Sequence, residues 1–97
     1  MATFGIVHRF AGGTKEHYDA GLARVHPADG SLPEGQTYHA AGPTADGWIV
    51  VALWDSRDSW ERFRDETLMP GLQGLGEAGF PGPPEETTFE VANEQQG

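Results

Sequence analysis

Gly47-Trp48-Ile49-Val50-Val51-Ala52-Leu53-Trp54 runs without a polar side chain and is followed at once by Asp55-Ser56 and by Arg57-Asp58-Ser59-Trp60-Glu61-Arg62-Phe63. An apolar run of this length, opened by a glycine, predicts a buried strand. Asp55 or Ser56 is the expected helix cap, Asp58 and Glu61 lie near the positive end of that helix, and Trp60, Phe63 and Thr67 or Leu68 form its buried stripe. A strand that turns directly into an amphipathic helix needs a sheet with a helical layer against it. Both faces of the strand are apolar, Ile49, Val51 and Leu53 on one and Trp48, Val50, Ala52 and Trp54 on the other. The first set has the size and shape that packs under helices, so the second is expected on the face without them.

The remaining segments complete the pattern. Thr3 to Phe10 alternates as a strand, Phe4, Ile6, His8 and Phe10 against Gly5, Val7 and Arg9. Thr14 caps a helix with the stripe Tyr18, Gly21, Leu22 and Val25. It stops near His26-Pro27, because the residue before a proline resists the helical conformation. Residues 28–35 read as a loop. Gln36 to Ala41 is a short strand, with Thr37, His39 and Ala41 on one face and Tyr38 and Ala40 on the other, and Gly42 to Gly47 is a hairpin connection. Pro70 is expected to break or kink the second helix, with Leu72 and Leu75 in a short continuation to Gly76. Glu77 to Glu86 is a Gly- and Pro-rich connection, Thr87 to Ala92 a last strand and Asn93 to Gly97 a polar tail. This β-α-β-β-α-β order over 97 residues predicts one α+β domain, 1–97. It is a ferredoxin-like antiparallel four-stranded sheet with two helices on one face.

On this reading the face without helices shows Trp48, Val50, Ala52 and Trp54 to water. A patch that apolar marks an interaction site, and its commonest cover is a second copy. A homodimer through the helix-free sheet face is expected, its two sheets enclosing an aromatic-lined cavity for a hydrophobic small molecule. The net charge of −9 argues against nucleic acid and anionic membrane as partners, since phosphate binding needs basic patches. The absence of cysteine excludes disulfides, thiolate nucleophiles and Cys-type metal sites. Met1 to Gly5 has neither the basic start nor the apolar run of a signal peptide, and no segment approaches the ~20 apolar residues of a membrane helix, so a cytoplasmic protein is expected. No phosphate loop or Gly-x-Ser-x-Gly elbow is present.

The pattern Gly-Trp-x-Val-x-x-x-Trp-Asp-Ser-x-x-x-Trp-x-x-Phe, from Gly47 to Phe63, resembles the dimeric α+β barrel superfamily. Within it the chain resembles the antibiotic biosynthesis monooxygenase-like family. The resemblance implies a homodimeric α+β barrel. Some members oxidise polycyclic aromatic substrates with oxygen and neither metal nor flavin; others cleave haem. The haem-cleaving relatives use a histidine on the second helix as iron ligand and an asparagine on the first strand. Those places here read Phe63-Arg64-Asp65 and Ile6, so haem is not implied and no cofactor is expected. The function implied is cofactor-independent mono-oxygenation of a hydrophobic, planar or polyketide-like molecule. The alternatives on the same scaffold are a non-catalytic small-molecule-binding or assembly protein, and a cyclase or isomerase.

Trp54 is the expected pocket wall, able to stack on a planar substrate, with Trp48 toward the rim and Ile6 and Ala52 on the pocket side. His8 and His39 are the strand groups suited to proton transfer near neutral pH. No third ligand at fixed spacing joins them, so no metal site is expected. His17 and His26, at the ends of the first helix, are expected in solvent. Tyr38 is assigned to packing, Arg9 and Arg64 to surface ion pairs, and Glu90 to an exposed edge.

Overall fold

The chain folds as β1 (Phe4–Ala11), α1 (Lys15–Val25), β2 (Gln36–Thr44), β3 (Gly47–Trp54), α2 (Arg57–Phe63), α3 (Met69–Gln73) and β4 (Glu85–Glu90). The computed structural model describes residues 2–95. Residue 1 and the last two positions of the expected tail, 96 and 97, lie outside the described residues. The strands pair in the order β2-β3-β1-β4, every neighbour antiparallel. This is the ferredoxin-like arrangement, with β1 and β3 in the centre.

Local chemistry explains the boundaries. Thr14 Oγ1 accepts a hydrogen bond from the His17 N–H at 3.3 Å, and His17 Nδ1 accepts from the Thr14 N–H at 3.2 Å. The pair forms a reciprocal capping box with histidine in the usual Glu or Gln position, so His17 has a cap to make rather than only solvent. Ser56 caps α2, accepting from the Ser59 N–H at 3.1 Å. β2 runs past the expected Ala41 to Thr44 and leaves only Ala45-Asp46 as the hairpin loop. Pro43 is tolerated there because β2 is an edge strand, with one side free of ladder bonds. β4 starts earlier than expected, at Glu85, and ends at Glu90.

Pro70 does not break the second helix. α2 widens into a π-helical turn, Arg64–Leu68, in which the Met69 N–H reaches back to the Arg64 carbonyl. α3 then begins with Pro70 in its first turn, where a missing N–H goes unnoticed.

The larger correction concerns the faces of β3. Trp48, Val50, Ala52 and Trp54 lie under the helices, and Ile49, Val51 and Leu53 lie on the open face. Phe4, Ile6, Ala52, Trp54 and Trp60 form the buried core, with Phe63 and Leu68 packed against it. Trp54 is 0% exposed, its ring centroid 5.8 Å from that of Trp60 and 5.1 Å from that of Phe63. The reason lies in β1. Residues directly opposite in an antiparallel pair share a face, and the register sets Phe4 against Trp54, Ile6 against Ala52 and Phe10 against Trp48. The bulky side of β1 therefore takes the tryptophans with it. Burying a large apolar side chain stabilises by roughly 1.5–3 kcal/mol, which outweighs what Gly5, Val7 and Arg9 could offer on the other side.

Candidate active site beneath the helices

A cavity of about 250 Å³ lies between the sheet and the helices. Its floor is Ile6, Val50 and Ala52, and its roof includes Tyr18 and Leu22 of α1, Phe63 of α2, Leu68 and Leu72. Ala52 gives the floor its depth: between Val50 and Trp54 on the same face it offers only a methyl group. The cavity thus belongs to a single chain, not to the space between two sheets that the sequence reading expected. The misassigned face of β3 accounts for the difference.

Polar groups enter this apolar chamber from two sides. On the β2 side, His39 Nε2 and Tyr18 Oη share a hydrogen bond of 2.6 Å. His26, just past α1, presents its ring edge-on to His39, with centroids 4.7 Å apart and planes at 72°. Gln36 lies on the same side, 8% exposed. Toward β4, His8 Nε2 lies 2.9 Å from Glu86 Oε1, and its ring is 5.5 Å from that of Trp60.

Burial sets the protonation of the His39 group. Loss of water around the ring, and secondly the neighbouring His26, push the His39 imidazole down to about 4. Burial lowers His26 as well. Burial, and then the adjacent Asp19 carboxylate, raise the Tyr18 phenol. At neutral pH, Tyr18 keeps its proton and His39 carries one. If Tyr18 donates to Nε2, that proton sits on Nδ1 as a free donor. If Nε2–H donates to Tyr18, Nδ1 is a free lone pair. In both arrangements Nδ1 is buried without a hydrogen-bond partner among the described residues.

Of the residues singled out in the sequence, His8, His39, Ile6 and Ala52 line the cavity. Trp54 and Trp48 stand behind it. Trp54 packs in the core, and Trp48 lies 5.3 Å from the Tyr18 ring, backing the Tyr18–His39 pair. Tyr18, His26 and Gln36 were not foreseen as site residues. Tyr18 is visible in the sequence only as part of a helical stripe. His26 is half-buried rather than in solvent, because the end of α1 is held over β2. Gln36 reaches the cavity through a bulge at Thr37, which has no sequence signature here. Arg9 pairs with Glu85 at 3.6 Å and Arg64 with Asp65 at 2.9 Å, and Glu90 is exposed. Among the described residues no three His, Cys, Asp or Glu side chains gather to hold a metal, and no helix is long and apolar enough to cross a membrane.

No protein-family model matches the sequence, and no curated protein matches it. Solved structures do. A protein of unknown function from Nitrosomonas europaea, NE2512, is similar with a TM-score of 0.70 at 12% identity, covering 100% of this chain and 96% of that one. A monooxygenase from Streptomyces coelicolor, the product of ActVA-Orf6, in complex with nanaomycin D, is similar with a TM-score of 0.61 at 15% identity over 99% and 93% of the two chains. SnoaB, a cofactor-independent oxygenase from Streptomyces nogalater, is similar with a TM-score of 0.58 at 16% identity over 99% and 97%. The chain therefore shares its fold with these solved structures over nearly its whole length.

Proposed function

We propose that this protein binds a planar, hydroxylated aromatic molecule beneath its helices and oxidises it with molecular oxygen, without a cofactor. The observation that carries this reading is a neutral imidazole, His39, hydrogen-bonded to a phenol, Tyr18, in an otherwise mostly apolar chamber. Oxygen reacts directly with organic molecules that are electron-rich anions, and removing a proton from a phenol or an enolisable ketone makes one. Without substrate His39 is a weak base, because an isolated imidazolium is costly there. A substrate anion beside the ring reverses that cost, since an adjacent opposite charge favours the charged form. Proton transfer to Nδ1 and anion formation then support each other, while Tyr18 holds the ring through Nε2. The anion passes electrons to oxygen and a C–O bond forms. Loss of water from the hydroperoxide turns a ring CH₂ into a carbonyl, and the second oxygen atom leaves in that water.

Two similar structures bear on this reading: SnoaB is a cofactor-independent oxygenase, and the Streptomyces coelicolor protein is a monooxygenase that holds nanaomycin D. The test is oxygen uptake with an anthrone. Wild type is expected to consume one oxygen molecule per anthraquinone formed, and His39→Phe to reduce the rate about 100-fold or more, in the range of a lost general base. Binding of the anthrone with no oxygen uptake would replace this reading with that of a binding protein.

The partner that suits the fold is a second copy through the open sheet face. Val7, Val51 and Leu53 lie on that face, flanked by Tyr38, 48% exposed, and Phe89, 43% exposed. An apolar band across four strands is what a homodimeric α+β barrel would cover.

A further inference from the structure

Gln36 Oε1, His39 Nδ1, Trp48 Nε1 and Trp54 Nε1 are buried polar atoms with no hydrogen-bond partner among the described residues. Gln36 and His39 are the two of these residues that line the cavity, and both belong to β2. Leaving a buried acceptor unpaired is costly, and native chains rarely do it. Gln36 is 8% exposed, so bulk water does not complete it.

The backbone brings these two groups together by an irregularity. Strict alternation would put Gln36 on the same face as Tyr38, away from His39. Instead β2 bulges at Thr37: Gln36 pairs with Trp54, Tyr38 with Leu53 and His39 with Ala52. The Thr37 hydroxyl donates to the Leu53 carbonyl at 3.3 Å, bracing the bulge. Gln36 and His39 therefore both stand on the helix side, opposite positions two residues apart on β3, about 7 Å along the strand. That separation suits two oxygen substituents of one planar ring system.

We infer that Gln36 is a specificity determinant of this cavity, its side-chain carbonyl accepting a hydrogen bond from a hydroxyl of the bound aromatic molecule while a second oxygen of that molecule meets His39. The inference rests on the proposed reading of the cavity as a ligand chamber and names the ligand's chemistry: an arene with two hydroxyls at opposite ends. Capping the Gln36-side hydroxyl as an ether removes the donor and leaves Oε1 unpaired.

The probes are 2,6-dihydroxynaphthalene and its monomethyl ether, which keeps one hydroxyl for His39. Affinities are measured by tryptophan fluorescence on the full chain. Wild type is expected to bind the diol about 10-fold more tightly, the cost of one unsatisfied buried acceptor. Gln36→Met, similar in length but without the acceptor, is expected to bring the two within about 2-fold. In ¹⁵N-labelled wild type, the Gln36 side-chain amide resonances are expected to shift strongly with the diol and weakly with the ether, a readout that needs no variant to fold. Equal affinity of wild type for the two probes, a preference unchanged in Gln36→Met, or an unmoved Gln36 amide overturns the role of Gln36 and leaves the chamber standing. Binding of neither probe overturns both.

Discussion

His39 is the residue on which most of the proposed chemistry turns, and its lowered pKa makes a prediction about stability. Its folded value is depressed to about 4 from an ordinary value of 6.5. Between those values the unfolded chain binds a proton that the folded chain refuses, so stability falls as pH falls through this window and is unaffected by this group above it. His26, also lowered by burial, acts in the same direction. Allowing for solvent screening at a partly exposed ring, the His39 contribution is about 1–2 kcal/mol. Urea denaturation at a series of pH values from neutral to acid is expected to show a falling midpoint, and His39→Phe to flatten part of that slope. Ala52 carries the complementary steric prediction. Ala52→Leu is expected to fill the chamber floor and weaken ligand binding about 10-fold or more. The thermal midpoint should stay near wild type, because the added atoms enter existing space. At this scale it was legible that Ile6 and His8 share one face of the first strand and that His8 and His39 are the strand imidazoles; that these side chains line a cavity beneath the helices was not. Tyr18 was not, because a tyrosine in a helical stripe looks the same whether it packs or holds an imidazole.

At the scale of elements, α1 and α3 meet each other through two glycines that behave differently. A Cβ on Gly71 would lie 2.7 Å from Val25 Cγ1, so α3 rests on α1 at a distance only glycine allows. A Cβ on Gly21 would find Leu72 Cδ2 at 3.4 Å, an ordinary contact, in a helix that glycine weakens. Gly71→Ala is therefore expected to destabilise by about 1–3 kcal/mol through overpacking. Gly21→Ala should be neutral or stabilising by up to about 1 kcal/mol, and thermal unfolding of the two variants side by side checks the contrast. The element order was readable because caps, prolines and periodicity are local signals. The orientation of β3 was not readable from that strand alone, since both of its faces are apolar. The deciding information sits in β1, where Gly5 and Arg9 share one face and Phe4, Ile6 and Phe10 the other. Carrying that asymmetry across the antiparallel register places the tryptophans under the helices. The Thr37 bulge and the π-helical turn answer to tertiary packing, so no local pattern announces them.

For the whole molecule, the consequence of the corrected orientation is that the chamber and the open apolar face lie on opposite sides of the sheet. The chamber is lined by residues of one chain, which leaves the open face for the proposed second copy. That face is organised around Phe89, whose ring lies over Gly5; a Cβ there would come within 2.1 Å of the ring's Cζ. The ring thereby covers the first strand and leaves its outer side to the surroundings, in one row with Leu53 and Tyr38 across the register. A second copy set against this row would bury it on both sides, and charge is no obstacle at the centre of the band, where Val7 meets Val51. Val51→Asp puts an unpaired carboxylate in the middle of such an interface at a position only half-buried in the single chain, so it should act on association far more than on folding. Light scattering after gel filtration is expected to give twice the chain mass for wild type and the single-chain mass for Val51→Asp, with the near-ultraviolet circular dichroism of the buried tryptophans retained. A wild type that runs as a single chain at micromolar concentration would remove the dimer and leave the open face unexplained. The chamber is lined by residues of one chain, so the proposed ligand is expected to bind in either outcome.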